Sequence, residues 1–128
     1  MPHTDPKSVA LTYVAACGAR EWHVVEPLLS AELTFSGPGG SVHGAQPYLA
    51  ILRRLGGVWV RSDVKRVFVD GAEVCVIYDF VTDTDAGAVP IVEWLRVEAG
   101  KIVSVFLVFD RVSFKPASDE LARRFAAR

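Results

Sequence analysis

Between Val58 and Phe114 the chain keeps a two-residue period, broken only at short turns. Four segments carry it: VWVRSDVKRVFV (58–69), AEVCVIYDFVTD (72–83), VPIVEWLRVE (89–98) and KIVSVFLVFDRVSF (101–114). Successive side chains of a strand point to opposite faces, so this period predicts four long strands. The interruptions are turn chemistry: Asp70-Gly71, the run DTDAGA, and Ala99-Gly100. Links this short leave no room for a crossover, so consecutive strands run antiparallel in a meander. Their twist makes the sheet strongly curved.

Alternation assigns the faces. Val74, Val76 and Tyr78 point inward on the second segment, Ile91, Glu93 and Leu95 on the third, and Val105, Leu107 and Phe109 on the fourth. The opposite face is apolar as well, with Cys75, Ile77, Val92, Trp94, Phe106 and Val108. A sheet apolar on both faces needs two covers. Helices supply one. A second copy of the chain is expected to supply the other, which predicts a homodimer packed sheet to sheet.

The first third reads as helix. A helix starts after Thr4 or Asp5, with Pro6 at its first position, and Gly18 ends it. Val9, Tyr13, Ala16 and Cys17 fall on one side of it. REWHVVEPLLS carries Trp22, Val25, Leu28 and Leu29 at helical spacing, with a break at Pro27. ELTF (32–35) is a short strand, and SGPGGSVHG (36–44) is the densest turn signal in the chain. AQPYLAILRRL follows as a third helix, with Tyr48, Ile51, Leu52 and Leu55 towards the core and Gly56-Gly57 stopping it. SDELARRFAAR at the end forms a short helix or frays. Helices first and then a sheet is an α+β order. The expected shape is a cone, a curved antiparallel sheet wrapped over N-terminal helices, with an internal pocket.

Glu93 stands out on the inward face. It shares that face with Ile91, Leu95 and Val97. An unpaired carboxylate among aliphatic side chains costs several kcal/mol or takes up a proton. One reading makes Glu93 a protonated donor facing a cavity. The other pairs it with Arg61, Lys65 or Arg66 on a neighbouring strand, or sets it at the sheet rim.

Length and charge exclude several classes. At 128 residues, one domain spanning 1–128 is expected, large enough for a real core. A net charge of −1 provides no basic excess for nucleic acid. Runs such as VCVIY and VFLVF are too short to span a bilayer, and MPHTDPKS lacks a signal-peptide core. A soluble cytoplasmic protein is the expectation. Cys17 and Cys75 have no metal-like spacing and read as reduced core residues. No His/Cys/Asp/Glu set has metal spacing, no Ser-His-Asp arrangement is visible, and no redox-cofactor fingerprint occurs, so no metal or cofactor is expected.

Three stretches, TYVAACGAREWHVVEPLLSAELTFSGP, VHGAQPYLAIL and IVEWLRVEAGKIVSVFLVFD, together carry a resemblance. In order and spacing the chain resembles the nuclear transport factor 2-like superfamily, and within it the ketosteroid isomerase and SnoaL-like polyketide cyclase group. The resemblance implies a cystatin-like α+β barrel. It does not imply one function, because this fold hosts isomerases, cyclases, hydrolases, dehydratases and non-catalytic binders. Ketosteroid isomerases stabilise a dienolate with a first-helix tyrosine and a protonated aspartic acid on a strand, a carboxylic acid kept neutral by an apolar site. Tyr13 matches the tyrosine, and Glu93 matches the acid with one methylene more. The proton-shuttling aspartate of that group matches Gly37, which cannot move a proton. In the limonene-epoxide hydrolase branch the catalytic positions match Val74, Val76 and Leu107, all apolar, which excludes that chemistry.

Other polar residues have a plain structural reading beside a functional one. His43, before the third helix, reaches a cavity mouth as an acid–base group or is a solvated turn residue. Asp110 falls out of phase with Phe109 and reads as a turn cap or a partner of Arg111. His23 belongs to the surface or core edge, and His3 to the tail. SGPGG lacks the lysine and spacing of a phosphate loop. Trp22, Trp59 and Trp94 read as core or interface.

Three functional readings follow. The first is a cofactor-independent isomerase or cyclase for a hydrophobic carbonyl compound. In it Tyr13 and neutral Glu93 donate to an oxygen, and His43 or water replaces the missing base. An ionised Glu93 would itself be a base, and one state cannot hold both roles. The second is a non-catalytic binder of an apolar ligand in the same cavity. The third is a structural dimerisation domain whose cavity is filled. In the first two, the expected wall is Phe35, Tyr48, Trp59, Val74, Val76, Tyr78, Ile91, Leu95, Val105, Leu107 and Phe109.

Overall fold

The computed structural model describes residues 5–126. His3 and Thr4 lie outside the described residues. Helix α1 (Pro6–Gly18) starts as expected: the Asp5 side chain accepts from the Ser8 backbone N–H at 3.2 Å, and Pro6 takes the first position. Its apolar side, Val9, Ala10, Tyr13, Val14, Ala16 and Cys17, is buried. A short helix α2 (Trp22–Val25) passes into a 3-10 turn over Glu26–Leu28, where Pro27 removes an N–H and ends it.

The next segment is more regular than its glycines suggest. Strand β1 (Leu29–Gly37) spans nine residues, not the four of ELTF, and forms a hairpin with β2 (Gly40–His43). Helix α3 (Ala45–Leu55) follows, burying Tyr48, Leu49 and Leu52. The meander then runs β3 (Trp59–Asp70), β4 (Glu73–Thr82), β5 (Ala88–Glu98) and β6 (Lys101–Val108).

These strands form one six-stranded sheet in the order β2-β1-β6-β5-β4-β3. It is mixed, not antiparallel throughout, because β1 pairs parallel with β6 (Phe35 beside Val105). Bulges in β3 between Trp59 and Arg61 and between Val64 and Arg66 bend the strand and tighten the curl. The sheet does not close, and its concave face wraps α1, so the α+β class stands.

The alternation holds in detail. β5 reads exposed–buried along its whole length, and β4 repeats the period. At the β5–β6 turn Ala99 and Gly100 both have positive φ (51° and 77°), a type I′ geometry that suits the twist of the strands.

One boundary differs from the sequence reading. The last strand stops at Val108, and α4 (Arg111–Ala126) begins two residues beyond Phe109. Asp110 starts it: one carboxylate oxygen accepts from the Val112 N–H at 3.0 Å and the other from the Ser113 hydroxyl at 2.7 Å. The capping bonds pull the chain out of the strand before Phe114. Helix α4 buries Ala117 and Leu121, with Arg124 bonded to the Gly57 carbonyl and to Asp83. No helix among the described residues is long and apolar enough to cross a membrane.

Candidate functional site

Glu93 sits at the middle of β5, between Val76 of β4 and Leu107 of β6, and points into the concave side. It is 2% exposed. No cation meets it. Its partners are phenols: Tyr13 donates to Oε2 at 2.7 Å, and Tyr78 donates to Oε1 at 2.7 Å. Tyr78 pairs with Ile91, two residues along from Glu93, so it is a diagonal neighbour on the same face. Tyr13 reaches the carboxyl from α1. The hydroxyls of Tyr13 and Tyr48 also bond each other, which ties α3 into the group. The result is a tyrosine–glutamate chain of Tyr48, Tyr13, Glu93 and Tyr78, drawn from four elements, in which Tyr48 also interacts with the Glu93 carboxyl directly.

The electrostatics follow from burial. Loss of water pushes the Glu93 carboxyl up, and the phenol hydrogen bonds pull it part of the way back. Tyr13, Tyr48 and Tyr78 are pushed well above the usual phenol range, first by burial and then by the Glu93 charge. Their protons therefore stay on them. The Cys17 thiol, one turn from Tyr13, is raised by burial and by the same charge.

Beside this chain lies a cavity of about 60 Å³. Tyr13, Tyr48, Tyr78 and Glu93 line it, together with Phe35, Trp59, Ile91, Leu107 and Phe109. Helix α3 adds Ile51, Leu52 and Leu55, and Phe80 and Phe114 complete the wall. The aromatic rings are in contact. Phe35 stacks on Tyr48 at 4.9 Å and Trp59 on Phe80 at 4.2 Å, while Phe114 meets the edges of Phe80 and Phe109. Phe114 comes from the first turns of α4, so that helix supplies part of the cavity wall.

Four expected wall residues lie elsewhere. Val74, Val76, Leu95 and Val105 face inward but are buried in the core, because α1 packs against those parts of the sheet. His43 is not at the cavity. It ends β2, is exposed, and places Nε2 3.5 Å from Glu32. Gly37 does lie at the cavity's edge: a Cβ there would meet Phe35 and Leu107, both wall residues. Phe114 escaped the sequence reading because its segment was read as strand. Ile51, Leu52 and Leu55 were read as core and not as wall.

A broader groove of about 600 Å³ lies on the other face of the sheet, walled by Trp94, Phe106, Arg96 and His43 among others. Its charges are already matched, Arg96 with Glu73 and Glu98, and the Trp94 indole donates to Glu73 at 2.6 Å. The buried carboxyl with its phenols makes the inner cavity the candidate site. Among the described residues no group of three or more His, Cys, Asp or Glu is placed to hold a metal.

Comparison with known proteins agrees with this architecture. A family model described as SnoaL-like domain matches residues 10–105, which include all four members of the tyrosine–glutamate chain. No curated protein matches. Among solved structures, a protein from Kribbella flavida is 25% identical, with a TM-score of 0.79 over 90% of this chain and 94% of its own. A nuclear transport factor 2-like protein of unknown function from Cytophaga hutchinsonii is 23% identical (TM-score 0.71, covering 82% and 89%). An LEH-like epoxide hydrolase from M. tuberculosis shares the fold at 20% identity (TM-score 0.75, covering 98% of each chain).

Proposed function

The chain belongs to the SnoaL-like domain family, within the nuclear transport factor 2-like superfamily, and from that premise we propose that it binds a small apolar molecule bearing an oxygen acceptor. The observation that carries this reading is the Glu93 carboxyl, buried at an apolar cavity and held by Tyr13 and Tyr78. A purely structural domain would gain more from an aliphatic residue at this position, since a buried carboxyl is costly even when bonded. At about 60 Å³ the cavity is far below the roughly 300–1,000 Å³ of drug-sized sites, so a compact ligand fits the wall as it stands. A multi-ring ligand would require Phe114 to move.

The test is titration with cyclopentanone, followed by NMR of the wall residues. Saturable shifts that vanish in Leu107→Trp, which fills the cavity, are expected. No saturable shift in the wild type would overturn the reading.

A catalytic reading has one observation in its favour. Tyr13 and Glu93, at the positions matched to oxyanion donors, do touch. The base is the weak point, because Gly37 offers no side chain and His43 is on the outer face. The same titration in deuterium oxide decides it: exchange of the ketone's α-protons that is lost in Glu93→Gln would make the protein an isomerase- or cyclase-type enzyme.

For the outer face we propose a second copy of the chain. Phe68 and Trp94 are 58% and 51% exposed, and Val92, Phe106 and Val108 join them on the same face. The charges on this face pair among themselves, Arg96 with Glu73 and Lys65 with Asp79, so two like faces would not repel. Sedimentation equilibrium is expected to give twice the chain mass of 14.0 kDa, and Trp94→Glu with Phe106→Glu to give the monomer. A wild-type monomer at high micromolar concentration would refute it.

A further inference from the structure

Where α3 ends, positive charge gathers with nothing to neutralise it. A groove of about 490 Å³ is lined there by Arg20, Arg53 and Arg54, and by the rings of Trp22 and Phe125. Gly56 and Gly57 line it as well. A Cβ on Gly56 would meet the Trp22 ring at 2.8 Å, and one on Gly57 would lie 3.5 Å from the Phe125 ring. The two glycines therefore let both rings pack directly on backbone. The arginines are held in place. Arg20 leaves α1 with a positive φ of 57°, a conformation that glycine usually takes. Its Nη1 donates to the carbonyls of Gly18, Trp59 and Val60, which fixes the guanidinium plane. Arg54 lies over the Phe125 ring at 4.4 Å, which leaves its N–H edge open. Arg53 comes from the same last turn of α3. Among the described residues, Nε and Nη2 of Arg20 and the guanidiniums of Arg53 and Arg54 donate to no protein acceptor. None of the three arginines meets a carboxylate, although Arg61, Arg96, Arg123 and Arg124 all do. A helix C-terminus attracts cations, but it carries only about half a unit of negative charge. Three guanidiniums exceed that several-fold, in a chain whose net charge is −1.

We propose that this groove, separate from the inner cavity, binds a compact, multiply charged oxyanion of the phosphate type. Arginine at all three positions suits that chemistry, because each planar fork can meet two oxygens of one phosphate. An anion also relieves the mutual repulsion of three like charges. The anchored Arg20 and the stacked Arg54 lose little freedom on binding. Recognition rests on the guanidiniums, since the Gly56 and Gly57 N–H groups already donate to the Leu52 and Arg54 carbonyls. A diphosphate matches three cations better than a single phosphate does, and the groove's volume lies within the range of small-molecule sites.

The experiment is titration of the full chain with pyrophosphate at fixed ionic strength. NMR follows the Gly56 and Gly57 amides, the Trp22 indole and the arginine Nε–H groups. Saturable shifts with a dissociation constant below about 1 mM are expected. Arg53→Gln with Arg54→Gln should weaken binding about tenfold or more. Lys7→Gln with Arg66→Gln removes the same charge at exposed positions outside the groove and should leave binding unchanged. Pyrophosphate should also raise the denaturation midpoint of the wild type and not that of the Arg53 and Arg54 variant. Phenyl phosphate is titrated in parallel. Tighter binding than pyrophosphate would assign the site to phosphate esters of a flat group that reaches Trp22, and weaker binding to a free diphosphate. Absence of saturable shifts with both compounds would overturn the site and leave the arginines as counter-charge to the helix end. Equal weakening by the two double variants would do the same. So would a tetra-aspartate peptide that binds more tightly than either phosphate compound, which would make the groove a protein contact instead.

Discussion

Removing both phenols that hold Glu93, as Tyr13→Phe with Tyr78→Phe, is expected to lower stability by about 3–5 kcal/mol near pH 8 and clearly less near pH 5. The pH dependence follows from the direction of the carboxyl's shift. Burial places the folded value of Glu93 above its unfolded value. The folded protein therefore keeps a proton where the unfolded chain has lost it. The stability is fully present below the unfolded carboxyl value, about 4.3, and declines as pH rises towards the folded value. Above the folded value the loss is constant. Without the phenols the folded value climbs further, so the window widens and the loss deepens at high pH.

Glu93→Gln closes the window and should flatten the profile over the same range. The exposed carboxyls act elsewhere. Asp110 is lowered by its bond from Ser113, and Glu120 by its bond from Arg123, so their contributions are lost only as pH falls below the carboxyl range. Urea denaturation at stepped pH separates the two limbs. An equal loss in the double variant at both ends of the range would show that the phenols act by packing alone.

Much of this site could be read before any coordinates. Strict alternation in β4 and β5 put Tyr78 and Glu93 on the inner face, and the helical spacing of α1 and α3 turned Tyr13 and Tyr48 inward. What alternation cannot give is partnership. Tyr78 looked like one more wall residue, and its bond to Glu93 depends on the diagonal register of two strands. Tyr48 joins through Tyr13, across 35 residues of sequence, by the way α3 docks. The bland expectation that Glu93 pairs with Arg61, Lys65 or Arg66 fails for a related reason. Arg61 meets Asp63 and Lys65 meets Asp79, so these cations are engaged among the outer-face charges, while Glu93 points to the inner face.

Two features were obscured by local signals. The parallel pairing of β1 with β6 joins segments about seventy positions apart, and nothing in ELTF names its partner. Helix α4 was hidden by a period that runs on too long, since VFLVFDRVSF keeps apolar residues at strand spacing past the true end of β6. The stop signal was nevertheless present. Asp110 followed by Ser113 is a helix start, and the cap outcompetes strand pairing at that point. That error matters for function, because it removed Phe114 from the wall.

The second large effect is expected at Gly18, far from any ligand. α1 ends there against the bulged part of β3. A Cβ on Gly18 would lie 2.5 Å from the Ser62 backbone nitrogen, 2.5 Å from its hydroxyl oxygen and 2.9 Å from the Arg61 carbonyl carbon. Two of these three atoms are backbone, so no rotamer change relieves the contact. Gly18→Ala must push helix and strand apart, at a cost of about 3 kcal/mol. Helix propensity would argue the opposite, since alanine normally gains on glycine by about 1 kcal/mol, so the sign of the result is diagnostic. The shift would also reach the site. Tyr13 lies little more than one turn back on the same helix, and its bond to Glu93 has no slack at 2.7 Å. A Gly18→Ala variant that still folds should therefore show the Glu93 titration displaced upward as well as a lower denaturation midpoint. Gly39→Ala provides the control: nothing lies within 4 Å of its Cβ, and the change should stay within about 0.5 kcal/mol of wild type. If Gly18→Ala proved as stable as the control, the close approach of α1 to β3, and with it the placement of Tyr13, would be wrong.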